Sequence, residues 1–142
     1  MSGEAVELEV INIQTQEEDT DRLTYKGAGT LYHKKGKYYL IYEEEGEGLE
    51  GARTTVKIDP RQERVFLNRK GPAALNQEFV EGKVNHDSYQ TDQGNLEIKT
   101  ETKKLSIKAG KEQGKIKIKY DLYLAGGFFA ANDLEITYQL KA

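Results

Sequence analysis

The segment KIKIKYDLYL, residues 115–124, alternates apolar and polar side chains. Ile116, Ile118, Tyr120, Leu122 and Leu124 fall on one side, with Lys115, Lys117, Lys119, Asp121 and Tyr123 on the other. A helix would scatter the apolar set around its circumference and bury lysine with it, whereas a strand segregates the two sets cleanly. The segment therefore reads as a half-buried strand. The last segment repeats the pattern, with Leu134, Ile136, Tyr138 and Leu140 facing inward against Glu135, Thr137, Gln139 and Lys141. AGGFFAAND between them supplies a glycine-containing reversal, so the two form a hairpin.

The same period extends upstream. Glu4–Gln14 alternates through Val6, Leu8 and Val10, and the apolar residues then change face at Ile11 and Ile13, which predicts a bulge. Arg22–His33 carries Leu23, Tyr25 and Leu31 in phase, with Gly27 and Gly29 on the same face, where a bend or a close backbone approach needs glycine. Further strands are expected at Lys37–Glu44, Arg53–Ile58, Arg64–Arg69 and Ala74–Val80, separated by turns at Lys35-Gly36, Asp59-Pro60 and Gly71-Pro72. His86–Gln90, Asn95–Glu101 and Lys104–Ala109 complete the set, with a phase flip near Thr102 that predicts a bend or tight turn. No segment reads as a helix. Many short strands joined by tight turns predict an all-β antiparallel barrel or sandwich, organised as one domain over residues 1–142.

Composition narrows the function classes. The chain of 142 residues has no cysteine, so it can form neither disulfides nor a thiolate metal site. A net charge of −3 gives no general basic field for nucleic acid. No apolar run approaches the roughly 20 residues of a membrane-spanning helix, and the start MSGEAVELEV has no signal-peptide pattern. A soluble, cytoplasmic protein is expected, without a membrane partner. Monomer and homodimer both remain open.

Chemistry-bearing residues are few. The stretch EEEGEGLEGA, residues 43–52, concentrates carboxylates but lacks the alternate-position ligand order of a calcium loop, so Glu45–Gly51 reads as a solvated hairpin connection. Glu44 differs, because it shares a strand face with Leu40 and Tyr42. Arg69 shares its face with Val65 and Leu67, and Gln77 shares its face with Leu75 and Phe79. If these faces point inward, a carboxylate, a guanidinium and an amide converge, and Glu44 and Arg69 are natural partners because buried charge demands pairing.

His33 and His86 lack the spacing of a metal site, and His86 and Asp87, adjacent on a strand, face opposite ways, against a Ser–His–Asp arrangement with Ser88 or Ser106. No metal or cofactor is expected. Lys103, Lys104, Lys108, Lys115, Lys117 and Lys119 form a stripe that suits protection of a sheet face better than single-strand binding, since Tyr120 and Tyr138 fall on the apolar side.

From near Val6 to Thr137 the chain resembles the YwiB-like bacterial proteins, a family of unknown function. The motifs YYLIYEE, TTVKI, VFLNRKGPAALNQEFVEG, YQTDQGNLEIKTETKKL and KIKIKYDLYL carry the resemblance through their order and spacing. It implies an antiparallel up-and-down barrel of calycin-like, lipocalin-related shape, with matched residue types at Tyr42, Glu44, Arg69, Gln77 and Tyr120 among others. It carries no established site onto them. The chain has no tryptophan, so the Gly-x-Trp signature of lipocalins proper is missing.

The expectation is a non-enzymatic barrel that binds a small molecule or partner. Tyr42, Glu44, Arg69, Gln77 and Tyr120 would line its interior, with Arg69 holding an anionic group and Glu44 orienting Arg69. The alternatives are an enzyme using Glu44 as acid or base, a role that demands a carboxyl raised by burial against a neighbouring arginine that lowers it, and single-stranded nucleic acid binding on the lysine face.

Overall fold

Antiparallel strands run the length of the chain in the computed structural model, which describes residues 3–46, 48–91 and 93–141. They are β1 (Glu4–Gln16), β2 (Asp19–Lys34), β3 (Lys37–Glu43), β4 (Arg53–Asp59), β5 (Arg64–Lys70), β6 (Leu75–Val80), β7 (Val84–Thr91), β8 (Gly94–Ala109), β9 (Gln113–Leu124) and β10 (Gly127–Leu140). Each pairs with its neighbours in sequence, and β1 pairs with β10 to close an up-and-down barrel. No helix occurs among the described residues, and none is long and apolar enough to cross a membrane.

Local chemistry explains the turns. Lys35 and Gly36 both have positive φ, 53° and 79°, the requirement of a two-residue hairpin whose twist matches its strands. At the end of β4, the Asp59 carboxylate accepts a hydrogen bond from the Gln62 N–H at 3.2 Å and so holds the turn into β5. The β9–β10 reversal is tighter than AGGFFAAND suggests, since β10 already begins at Gly127. The close approach expected in β2 falls at Gly29, where a Cβ would overlap the Leu8 side chain and the Ile41 carbonyl.

Two expected irregularities resolve differently. The bulge near Ile11 is not formed, because β1 keeps unbroken register with both β2 and β10. Ile11 and Ile13 instead lie half-buried on the outer wall beside Lys104, Lys117 and Lys119. The phase flip near Thr102 is no turn. It is a bulge inside one long strand, with the register shifting between Thr102 and Lys104 against β9. Lys103, on that bulge, lies within 3.2 Å of Glu101 and 3.9 Å of Asp121.

The interior is divided along the barrel axis. Val6, Leu40, Val56, Ile58, Val65, Phe79, Ile116, Ile118 and Ile136 are almost wholly buried and fill one end. One wall is thinner than the rest. Between β6 and β7 the register among the described residues is Leu75 opposite Tyr89, with support from Gln90 N–H to Ala74 O at 2.9 Å and Asn85 Nδ2 to Glu78 O at 3.1 Å.

Candidate functional site

The other end of the barrel is open inside. A cavity of about 660 Å³ lies where β1, β3, β5 and β9 finish and β2, β6, β8 and β10 begin, and Tyr42, Glu44, Arg69, Gln77 and Tyr120 all line it. Strand phase puts them there. Tyr42 pairs with Thr54 across β3 and β4, Arg69 pairs with Thr54 across β4 and β5, and Gln77 pairs with Leu67 across β5 and β6.

Glu44 stands one residue past β3, and its N–H still bonds the Ala52 carbonyl at 2.9 Å, which extends the strand's direction by one residue. Its Oε2 accepts a hydrogen bond from the Thr54 hydroxyl at 2.5 Å and lies 3.7 Å from Arg69 Nε. Both charged side chains are largely buried, with 10% and 19% of their surfaces exposed. Arg69 also donates through Nη1 to the Ala73 carbonyl at 3.3 Å, while its buried Nε has no hydrogen-bond partner. The guanidinium is therefore held from two sides but keeps unused donor capacity.

Aromatic rings form the floor and one flank. Tyr42 packs on Tyr25 at 5.0 Å between centroids, and Tyr120 on Phe79 at 4.9 Å. Burial, and next the Glu44 carboxylate, push the Tyr42 phenol well above its ordinary value. Burial pushes the Tyr120 phenol up to about 12, with a hydrogen bond from Gln77 acting the other way. Gln77 itself donates to the Thr100 hydroxyl at 3.3 Å.

Across the barrel lies a second polar group that the motif reading missed. Asn132 Oδ1 accepts from Asn12 Nδ2 at 3.0 Å and from Gln14 Nε2 at 3.2 Å, and its own Nδ2 donates to the Ala130 carbonyl at 3.3 Å. Asn12 Oδ1 is buried without a partner. The signal was available in the sequence, because Asn12 and Gln14 continue the inward phase of Val6, Leu8 and Val10. In strand order β1 and β10 stand diametrically opposite β5 and β6, so the amide group faces the Arg69–Gln77 wall.

The acidic stretch divides. Glu45, Gly48, Glu50 and Gly51 are exposed, but Leu49 is half-buried and lines the cavity mouth, while Glu47 lies outside the described residues. Gly46, Gly48 and Gly51 all have positive φ, which lets the loop fold back over the mouth.

Other candidates stay apart from the cavity. His86 approaches Glu97 at 3.7 Å on the outer wall, and His33 stacks on Tyr38 at 4.5 Å. No group of three or more His, Cys, Asp or Glu among the described residues is placed to hold a metal ion. The lysine stripe is exposed and interleaved with acids, Lys115 lying 3.4 Å from Glu135 and Lys119 lying 4.0 Å from Asp133.

A closed antiparallel barrel, packed at one end and hollow at the other, defines a calycin-like protein. The chain belongs to the family described as a domain of unknown function, DUF1934, whose model matches residues 8–136. It is 30% identical over 134 residues to the uncharacterized beta-barrel protein YwiB of Bacillus subtilis, covering 94% of this chain and 92% of that one. The crystal structure of the ywiB protein from Bacillus subtilis matches with a TM-score of 0.88 at 28% identity, covering 99% of this chain and 94% of that one.

Proposed function

We propose that this barrel is a non-enzymatic binding protein of the cytoplasm that takes a small, largely apolar molecule into its hollow end. The observation that carries the reading is the cavity of about 660 Å³, apolar and aromatic over most of its wall, with polar side chains at a few fixed positions. Such a combination buries a ligand's apolar surface while fixing its orientation. Tyr42, Gln77 and Tyr120 supply contact surface and hydrogen bonds, and Arg69 offers donors in an orientation set by Glu44. The hydrogen bond that Glu44 accepts from Thr54 and its ion pair with Arg69 favour this positioning role over proton transfer.

Titration with the neutral fluorescent dye N-phenyl-1-naphthylamine tests the reading. Saturable, stoichiometric enhancement is expected, and Leu122→Trp, which fills the cavity from its wall, is expected to abolish it. No saturable enhancement, or enhancement that survives the filled cavity, counts against binding at this site.

A further inference from the structure

The charged lining of the cavity is unbalanced in a way that constrains its ligand. Among the described residues, the charged groups on its wall are Glu44, Glu45 and Arg69, two carboxylates against one guanidinium. Inside, Arg69 is already countered by Glu44 at 3.7 Å, and Thr54 fixes that carboxylate in place. At the mouth, Glu45 is exposed and adds negative potential along the way in. An organic anion would therefore meet as much repulsion as attraction and would be buried without a net countercharge, which is costly in a low-dielectric interior.

The opposite wall specifies hydrogen-bond polarity. Asn132 Oδ1 already accepts two bonds and its Nδ2 donates one to the Ala130 carbonyl, so the buried acceptor that the amide group leaves unpaired is Asn12 Oδ1. A buried acceptor without a partner favours a molecule that brings an O–H or N–H to it. The rings of Tyr42 and Tyr120 and the side chains of Leu67 and Leu122 complete the lining.

We propose that the cavity selects uncharged aromatic molecules carrying a hydrogen-bond donor and discriminates against organic anions. Glu44 sets the charge preference and Asn12 accepts the donor. The proposal rests on the binding function above and reverses the anionic preference that Arg69 alone would suggest.

Competition against N-phenyl-1-naphthylamine at neutral pH with three naphthalenes tests it. 1-Naphthol is expected to displace the dye best, 1-methoxynaphthalene about fivefold less well for want of the donor, and 1-naphthalenesulfonate more than about tenfold less well. Glu44→Gln leaves Arg69 uncountered and is expected to improve the sulfonate at least about fivefold relative to naphthol. A sulfonate that competes as well as naphthol overturns the proposal, as does a methoxy compound equal to naphthol. The wild-type series decides the matter even if Glu44→Gln fails to fold. Failure of the dye itself to bind sinks the binding function, whereas an inverted order among the competitors sinks only this selectivity.

Discussion

Tyr138 holds the packed end of the barrel. Its hydroxyl donates to the Gly110 carbonyl at 2.8 Å and accepts from the Gly110 N–H at 3.2 Å, while its ring covers Gly114 so closely that a Cβ there would overlap it. Gly114→Ala must therefore displace a ring pinned at its far end, and a loss of about 1–3 kcal/mol is expected from overpacking. Urea denaturation measures it, and a loss below about 0.5 kcal/mol would mean that the ring has room to move.

The buried phenols also set an alkaline limit. Tyr120 and Tyr138 are raised from 10.0 to about 12, chiefly by burial. Across that window the folded state keeps protons that the unfolded chain has released. Stability is thus fully present below pH 10 and falls as pH rises toward about 12. Denaturation midpoints followed with tyrosinate absorbance should decline over this range, and Tyr120→Phe should make the decline shallower. A midpoint that stays flat rules the linkage out.

At the scale of the element, strand phase is the controlling variable. In β8 the residues Thr102 and Leu105 both face inward, with Lys103 and Lys104 both outside at the bulge. Deleting Lys103 removes the bulge and restores strict alternation, whereas deleting Lys117 from β9 turns Ile118 and Tyr120 outward. The two deletions remove the same residue type, yet the first is expected to leave a folded barrel and the second to abolish cooperative thermal unfolding. Equal melting behaviour would refute the phase argument.

Phase also explains what could be read in advance. β9 and β10 were legible because their apolar residues occupy a single face, and Tyr42, Glu44, Arg69 and Gln77 because they continue such faces. Ile11 and Ile13 misled because an apolar residue on the outer wall gives the same signal as a bulge. At Thr102 one phase flip fits a turn or a bulge equally well, and only pairing with β9 decides between them. The Asn12–Gln14–Asn132 cluster is not legible in this way, because it forms between β1 and β10, which are far apart in sequence, and because Asn132 falls in AGGFFAAND, whose glycines signal a reversal.

Over the whole molecule, stability and binding occupy different ends of one barrel. Leu40 sits fully buried in the packed end, and Leu122 borders the cavity. Leu40→Ala leaves a new void and is expected to cost about 2–5 kcal/mol, whereas Leu122→Ala merely enlarges an existing space and should cost about 1 kcal/mol. Chemical denaturation of the two variants compares the ends directly, and equal losses would mean that the hollow end carries as much of the stability as the packed one. The ring of strands has one more consequence. Because β1 lies beside β10 and every other strand beside its neighbour in sequence, the barrel is a circle in which the position of the chain ends is arbitrary. A circular permutant that joins β10 to β1 by a short linker and opens the chain between β6 and β7 would keep every long ladder. Its new termini would fall at the thinnest wall, and the β1–β10 ladder, formed natively across nearly the full chain, would become a local hairpin.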